Sequence, residues 1–305
     1  MFGRYALTVI SIAILINGLG CRSGQATQEV TPVIFQLVKP PSATIRVQVM
    51  PGQEMLAFQV GNQPALTFFN TEGKEVGTFH PADPPGQAVG FYAWSVDSVA
   101  LFTEADLWGY GPHGSAKGIS MAGVYGTPLM DSHHPMISLD DRIYFLANNP
   151  EMIMADLPMI YRYNFHKHQT DGLMSFPPEL KQPLTDDQVP SMTSDGQTLV
   201  LATSGGQDLL MYDLTRRTVR QVAAPVTGYA LAIGYHRGYR RMILDPDAQR
   251  LVLQAMDGGL NEVSRTSVPV GDYDPEQSFI GPDGYYLCRK EQPNSSEVAF
   301  DRIAF

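Results

Sequence analysis

The sequence predicts an all-β fold built from repeated four-stranded sheets, and three observations support this prediction. Glycine (28 residues) and proline (23 residues) are frequent, whereas charged residues make up only 17% of the 305-residue chain. This composition is typical of many short strands joined by tight turns. Short apolar runs alternate with Asp-Gly or Gly-Gly turns, and Pro and Gly fall between the runs rather than inside them. After residue 21, no stretch shows the periodicity and caps of a helix.

One segment, residues 189–222, shows the repeating pattern most clearly. A first strand ends at the turn Ser194-Asp195-Gly196, and an apolar second strand follows at 198–203. A Gly-Gly loop leads to a third strand at 209–214, and a closing strand covers 218–222. Four antiparallel strands within about 40 residues are typical of one blade of a β-propeller.

The same order recurs along the chain, with turns near residues 52, 97, 140, 195, 247 and 283. A single four-stranded sheet cannot bury its two apolar faces, whereas a ring of such sheets buries both. We therefore predict a β-propeller of six four-stranded blades. Seven blades are the alternative, because the long intervals 140–195 and 195–247 have room for further strands. Residues 148–157 are predicted to be an inserted loop or short helix.

The apolar run at 33–38 is predicted to be a strand that closes the ring. In propellers, the final blade often takes one strand from the amino end of the domain. The last residues of the chain, 297–305, also have a strand-like pattern. We expect these two segments to pair.

The amino end has the features of a targeting segment. Residues 6–16 form a nearly unbroken apolar run after Arg4, which is signal-peptide length and too short to span a bilayer comfortably. The small residues that follow lead to Cys21. This segment resembles the lipobox of bacterial lipoproteins, in which the cysteine is acylated and becomes the new amino terminus. That family usually has Leu three residues before the cysteine, where this chain has Gly18. The alternatives are a secretory peptide cleaved nearby or an uncleaved anchor.

The lipobox resemblance implies a domain organisation and an address. Residues 1–20 are the signal peptide, Cys21 is the lipid-attachment site, 21–32 form a flexible tether and 33–305 form the propeller. Arg22 rather than Asp follows the cysteine, which favours an outer membrane, where one exists, and a propeller facing the periplasm or the cell surface. With Cys21 lipidated, Cys288 has no disulfide partner in the chain, and the fold depends on its core.

The turns before the apolar strands resemble the PD40 (WD40-like) repeat of TolB-type propellers, with a consensus of roughly Pro-x-x-Ser-Pro-Asp-Gly. Pro190, Ser194, Asp195 and Gly196 match this pattern well. Parts of it are kept at 94–97, 245–247 and 281–284. The resemblance covers about residues 45–305 and implies the fold, together with an assembly or scaffold role in the cell envelope.

Four histidines of the third unit are the candidate metal ligands. His133 and His134 are adjacent, while His166 and His168 are two residues apart and share one face of a strand. Imidazole is a common metal ligand, and oligogalacturonate lyases are propellers with a histidine-ligated metal. The alternative is that these histidines are surface or hydrogen-bonded loop residues. We predict no cofactor, no metal and no catalytic residue.

Other motifs that carry chemistry do not match. The chain lacks the Gly-x-Ser-x-Gly elbow of hydrolases that contain a propeller, and the Gly-rich stretch 109–118 lacks the Lys-Ser/Thr ending of a phosphate loop. The Asp residues of the repeats lack the spacing of a calcium loop and have a structural role as turn formers.

Residues 228–241 are interpreted as a long loop and as the candidate partner-binding segment. They form the most basic stretch of a chain whose net charge is −10. Its candidate contact residues are Tyr235, Arg237, Tyr239, Arg240 and Arg241. The acidic surplus argues against nucleic acid as a partner. It also argues against electrostatic binding to anionic lipid, so that the lipid chains must attach the protein to the membrane.

These observations predict an exported, membrane-anchored lipoprotein whose propeller binds another envelope protein, a peptide or a glycan. The competing prediction is a propeller-type enzyme, a polysaccharide lyase or a glycan-active hydrolase, with a metal or a pair of carboxylates at the channel mouth. A solute-binding or sensory lipoprotein is a third possibility.

Overall fold

The structure, a computed structural model, describes residues 29–38, 43–50, 52–111, 116–120, 124, 127–130, 133–139, 142–148, 158–164, 167, 169–175, 191–202, 208–292 and 296–305. These residues form 25 strands arranged in six antiparallel sheets, which are the blades of a β-propeller. The predicted all-β fold with six blades is confirmed. Within the described ranges, no helix has the length and apolar character that a membrane crossing requires.

The first three blades follow one another along the chain. Blade 1 consists of β2 (Ile45–Val49), β3 (Met55–Val60), β4 (Leu66–Asn70) and β5 (Glu75–Phe79). Blade 2 consists of β6 (Gly90–Ser95), β7 (Ser98–Phe102), β8 (Asp106–Tyr110) and β9 (Ala116–Ser120). Blade 3 contains β10 (Thr127–Leu129), β11 (Ile137–Leu139), β12 (Arg142–Asn148), β13 (Pro158–Asn164) and β14 (Gln169–Ser175).

The remaining blades complete the ring. Blade 4 consists of β15 (Ser191–Ser194), β16 (Thr198–Ala202), β17 (Asp208–Asp213) and β18 (Thr218–Ala223). Blade 5 consists of β19 (Tyr229–Tyr235), β20 (Tyr239–Asp245), β21 (Arg250–Met256) and β22 (Glu262–Pro269). Blade 6 consists of β23 (Tyr273–Ile280), β24 (Gly284–Arg289), β25 (Glu297–Ala304) and β1 (Val30–Gln36).

Blade 6 is closed by the amino-terminal strand, as the sequence predicts. β1 pairs antiparallel with β25, from Val30 opposite Ile303 to Gln36 opposite Glu297. The strand begins at Val30, three residues before the start of the predicted strand at 33–38. Residues 1–28, which include the predicted signal peptide and Cys21, lie outside the described residues, as do 149–157.

The buried apolar residues form six clusters, and each cluster is shared by two neighbouring blades. The cluster between blades 6 and 1 is centred on Phe35 of β1, which is fully buried against Phe58, Phe69 and Phe300. Each blade thus buries both faces, as the alternating pattern of its strands requires.

The assignment of strands within blade 5 differs from the sequence prediction. The turn near residue 247 joins the second and third strands of this blade, and the first turn lies at 236–238, where Arg237 has a φ of 50°. The first turns of blades 4, 5 and 6 therefore lie near 195, 237 and 283, at nearly even spacing. The interpretation of 228–241 as a long loop is wrong, because these residues form the β19–β20 hairpin. Their Tyr, Arg and Gly content suits both a loop and a hairpin.

Candidate functional site

A cavity of about 510 Å³ opens on one face of the ring, at the ends of the inner strands. We call this face, where β2, β6, β11, β15, β19 and β23 end, the pocket face, and the other the opposite face. All six blades contribute to the lining, which comprises residues 47–50, 52–54, 92, 135–139, 193–194, 234–236 and 279–282. The size lies within the range of pockets that hold small ligands.

The lining of the cavity is mostly apolar and nearly uncharged. Val47, Met50, Met136, Ile137 and Phe279 supply much of the apolar surface. The lining contains one carboxylate, that of Glu54, and one histidine, His236. A lining of this kind suits the burial of a neutral group.

The inner strand of blade 3 is interrupted beside the cavity, whose lining includes Pro135 and Met136 of this interruption. β10 and β11 both pair with β12, and the described residues 133–136 between them belong to no strand. His133 in this segment is buried, and its Nε2 lies 2.9 Å from the carbonyl oxygen of Ser278 in blade 6. Because a carbonyl oxygen can only accept, Nε2 is the protonated nitrogen. This hydrogen bond spans the channel between opposite blades.

The segment is also bonded to the two blades that follow. The hydroxyl of Ser191 in β15 donates to the carbonyl oxygen of His133 and accepts from the amide of Ile233 in β19, at 3.1 Å. A single buried hydroxyl therefore connects blades 3, 4 and 5. Its donor and acceptor functions are both satisfied, as burial requires.

Polar side chains also hold the wall of the cavity together. The Gln48 side chain of β2 accepts from the Ala93 amide of β6 at 2.7 Å and donates to the Ala93 carbonyl at 3.1 Å. The indole nitrogen of Trp94 donates to the Ser138 hydroxyl at 3.2 Å, which connects β6 to β11. These bonds fix the inner strands of blades 1, 2 and 3, so the cavity is preformed.

Asp195 connects blade 4 to blade 5 at the pocket face. Its carboxylate accepts from the amides of Gln197 and Thr198, at 2.9 and 2.8 Å, and from the Tyr239 hydroxyl at 2.9 Å. Burial acts to raise the pKa of Asp195, but these hydrogen bonds outweigh it and hold the pKa below its ordinary value. Burial and the bond to Asp195 raise the pKa of Tyr239.

A cluster of aromatic and cationic side chains lies at the rim of the cavity. His236 stacks on Phe305 with ring centroids 5.5 Å apart, and the Arg240 guanidinium lies 4.8 Å from the centroid of the same ring. Tyr235 is exposed beside the cavity. This group brings the β19–β20 hairpin and the end of β25 together at the pocket face.

Of the five predicted partner-binding residues, Tyr235, Arg237 and Arg240 lie at this rim. Tyr239 and Arg241 are fully buried, so they cannot contact a partner at the surface. Arg241 donates from Nε to Gln254 at 2.9 Å and from Nη2 to the Ala224 carbonyl at 2.8 Å. Burial and the nearby Arg265 lower the pKa of Arg241 to about 10, although Glu262 acts in the opposite direction.

Two of the four candidate metal-binding histidines, His133 and His134, lie within the described residues. His166 and His168 lie outside the described residues, and the donor role of His133 toward Ser278 occupies its Nε2. Within the parts of the chain that the structure describes, no group of three or more His, Cys, Asp or Glu side chains is arranged to hold a metal ion. The prediction of no metal, with these four histidines as the candidate ligands, stays a prediction.

Sequence reasoning missed the buried contacts of His133 and most of the cavity lining. These residues belong to six distant segments, and no local motif marks them. The adjacent pair His133-His134 within an otherwise strand-like stretch is the one local signal of the interrupted strand.

No family model and no curated protein sequence matches the chain. Among solved structures, a member of the DUF4221 family from Bacteroides vulgatus is similar with a TM-score of 0.72 at 12% identity, covering 90% of this chain and 97% of that one. A luciferin-regenerating enzyme is similar with a TM-score of 0.51 at 13% identity, covering 89% of this chain and 95% of that one. At such low identities the likeness shows the propeller fold alone.

Proposed function

We propose that this chain is an exported lipoprotein of the cell envelope whose propeller is a binding module. Its cavity receives a neutral, largely apolar group that belongs to another envelope protein, a peptide or a glycan. The observation that carries this proposal is the preformed cavity of about 510 Å³ with its nearly uncharged lining.

Binding suits this cavity because its walls are fixed before a ligand arrives. The bonds from Gln48 to Ala93, from Trp94 to Ser138 and from His133 to Ser278 join inner strands of different blades. A preorganised site loses less conformational entropy on binding than a site that must be ordered. The exposed aromatic ring of Tyr235 at the rim adds a surface on which a sugar or an apolar side chain can stack.

We further propose that the domain is TolB-like and that Cys21 anchors it. The turn at Asp195 supports the first part. There, the Ser194 hydroxyl accepts from the Gly196 amide at 3.0 Å, and the Asp195 carboxylate accepts from two further amides. This is the role that the Ser and Asp of a PD40-type turn would have. The apolar run before Cys21 supports the second part.

The cavity is tested with a pair of valine substitutions in the full-length chain. Val49→Trp places an indole in the cavity lining, whereas Val38→Trp places one on the opposite face. The chain is purified from solubilised envelopes, and native mass spectrometry and chemical cross-linking report the molecules that remain bound.

We expect bound molecules on the parent chain and on Val38→Trp, and their loss from Val49→Trp at an unchanged midpoint of unfolding. If the parent binds nothing reproducibly, or if Val49→Trp binds the same molecules as Val38→Trp, the cavity is not the binding site.

The anchor is tested separately at the two cysteines. Mass spectrometry of the mature chain should find acyl chains on Cys21. Cys21→Ser should release the protein from the membrane fraction, whereas Cys288→Ser should leave it there. An unmodified Cys21 in the mature protein would contradict the lipoprotein assignment.

A further inference from the structure

The direction of β1 fixes the face of the propeller from which the amino-terminal segment leaves. β25 runs toward the pocket face, since Phe305 at its end lies beside His236 at the cavity rim. β1 is antiparallel to β25, with Val30 opposite Ile303. Val30 therefore lies at the pocket face, and Gln36 lies toward the opposite face.

We infer that the pocket face lies against the lipid bilayer, so that the cavity opens toward the membrane. This inference rests on the proposed anchoring through Cys21. The eight residue-to-residue steps from Cys21 to Glu29 span at most about 28 Å when fully extended. The seven residues of β1 already span about 23 Å from the pocket face toward the opposite face. To bring the opposite face to the membrane, the tether would have to run back along β1 and use nearly all its length.

A second observation, independent of the tether, favours the same face. Eight large apolar side chains are the most exposed of their kind among the described residues. Six of the eight lie at the pocket-face end of their strand: Val30, Val76, Val219, Tyr235, Val263 and Phe305. Val263 is 69% exposed, and it belongs to blade 5, far along the chain from β1. The six side chains belong to four blades, and their placement at one face of the ring suits contact with a broad apolar surface such as a bilayer.

The charges of the pocket face favour contact with a bilayer of lipids that carry no net charge. Its turns carry both signs, with Glu72 and Asp257 in two of them and Arg217 and Arg237 in two others. Mixed charges give little attraction to anionic headgroups. The contact therefore depends on apolar side chains held near the surface by the acyl chains of the anchor.

This orientation determines how the cavity is filled. A molecule enters it from the membrane side, between the propeller and the bilayer. A lipid-borne group, or a partner that is itself in the membrane, reaches the cavity directly.

The test uses the full-length lipidated chain in phosphatidylcholine vesicles that contain brominated acyl chains, which quench tryptophan in contact with them. Val263→Trp reports on the pocket face, and Val76→Trp repeats the measurement in blade 1. Val38→Trp is the matched control, because Val38 is 76% exposed but lies beyond the other end of β1. The parent chain, with Trp94 and Trp108, gives the baseline.

We expect brominated lipid to remove the emission added by Val263→Trp and Val76→Trp and to leave that added by Val38→Trp. Quenching of none of the three, or of all three equally, overturns the orientation. Quenching of Val38→Trp alone also overturns it, because the rim at β1 would then contact the bilayer.

The intact mass of the same sample separates a failure of the anchor from a failure of the orientation. If Cys21 carries no acyl chain, the proposed anchoring is wrong. Coupling its thiol to a maleimide-headed phospholipid then supplies an anchor at the same residue, and the quenching comparison decides the orientation alone.

Discussion

The Nε2 atom of His133 lies 2.9 Å from the carbonyl oxygen of Ser278, so a side chain of blade 3 is bonded to the inner strand of blade 6. These blades are opposite each other in a ring of six. Most contacts in a propeller join neighbouring blades, and a bond across the channel adds a direct connection.

His133→Ala should destabilise the protein by about 2 kcal/mol, because it leaves a buried carbonyl oxygen without its donor. Denaturation by urea measures the change in the free energy of unfolding. His80→Ala is the control, since His80 is exposed and should tolerate the change within about 0.5 kcal/mol. Equal stabilities of the two variants would show that the bond across the channel contributes nothing.

Closure of the ring predicts a large difference between neighbouring residues of β1. Phe35→Ala should cost about 3–5 kcal/mol, because Phe35 is fully buried among aromatic rings of blades 1 and 6. Ile34→Ala changes the exposed face of the same strand and should cost less than about 1 kcal/mol. Thermal unfolding of both variants checks this, and a similar loss from each would mean that β1 does not seal the core.

The hydrogen bonds of Asp195 predict a dependence of stability on pH. The pKa of Asp195 is lower in the folded protein than its ordinary value of about 4. Its stabilising effect is therefore fully present above the unfolded-state pKa, and it is lost as the pH falls through the folded-state pKa. Asp195→Ala should destabilise by about 1–2 kcal/mol at pH 7, through the lost turn and Tyr239 bonds.

The difference between parent and Asp195→Ala should then shrink as the pH is lowered from 5 to 2, which urea denaturation at each pH measures. Asp247→Ala, in the exposed turn between β20 and β21, is the control and should show a smaller effect at pH 7. A difference for Asp195→Ala that is constant from pH 7 to pH 2 would contradict a role for the charged carboxylate.

Replacing two arginines of neighbouring blades should have very different effects on the free energy of unfolding. Arg241→Ala should cost about 3 kcal/mol or more, since it leaves Gln254 Oε1 and the Ala224 carbonyl without a buried donor. Arg216→Ala, at a side chain that is 80% exposed, should be nearly neutral. Urea denaturation compares them, and a neutral Arg241→Ala would restore this residue as a candidate for surface contact.

Predictions made from local sequence patterns were correct where a segment carries one dominant signal. The Asp195 turn and the strands of blade 4 lie within a few residues of their predicted positions, because an Asp-Gly turn and short apolar runs specify a hairpin locally. Blade 5 was assigned one strand out of step, because its turn at 245–249 has the Pro-Asp signature while its first turn has Arg237 at positive φ. Local turn chemistry does not tell which pair of strands a turn connects.

The sequence alone determined the class of fold and the strand that closes the ring, because alternating apolar residues and turn formers act over a few residues. It predicted six blades with seven as the alternative, and the structure decided for six. Only the tertiary structure decided that Arg241 is core rather than surface and that His133 reaches Ser278, 145 residues away. It also placed the cavity and four exposed valines, Val30, Val76, Val219 and Val263, on one face, and the exposed Val38 on the other. These relationships join residues of different blades, and they exist only once six separately specified sheets have packed into a ring.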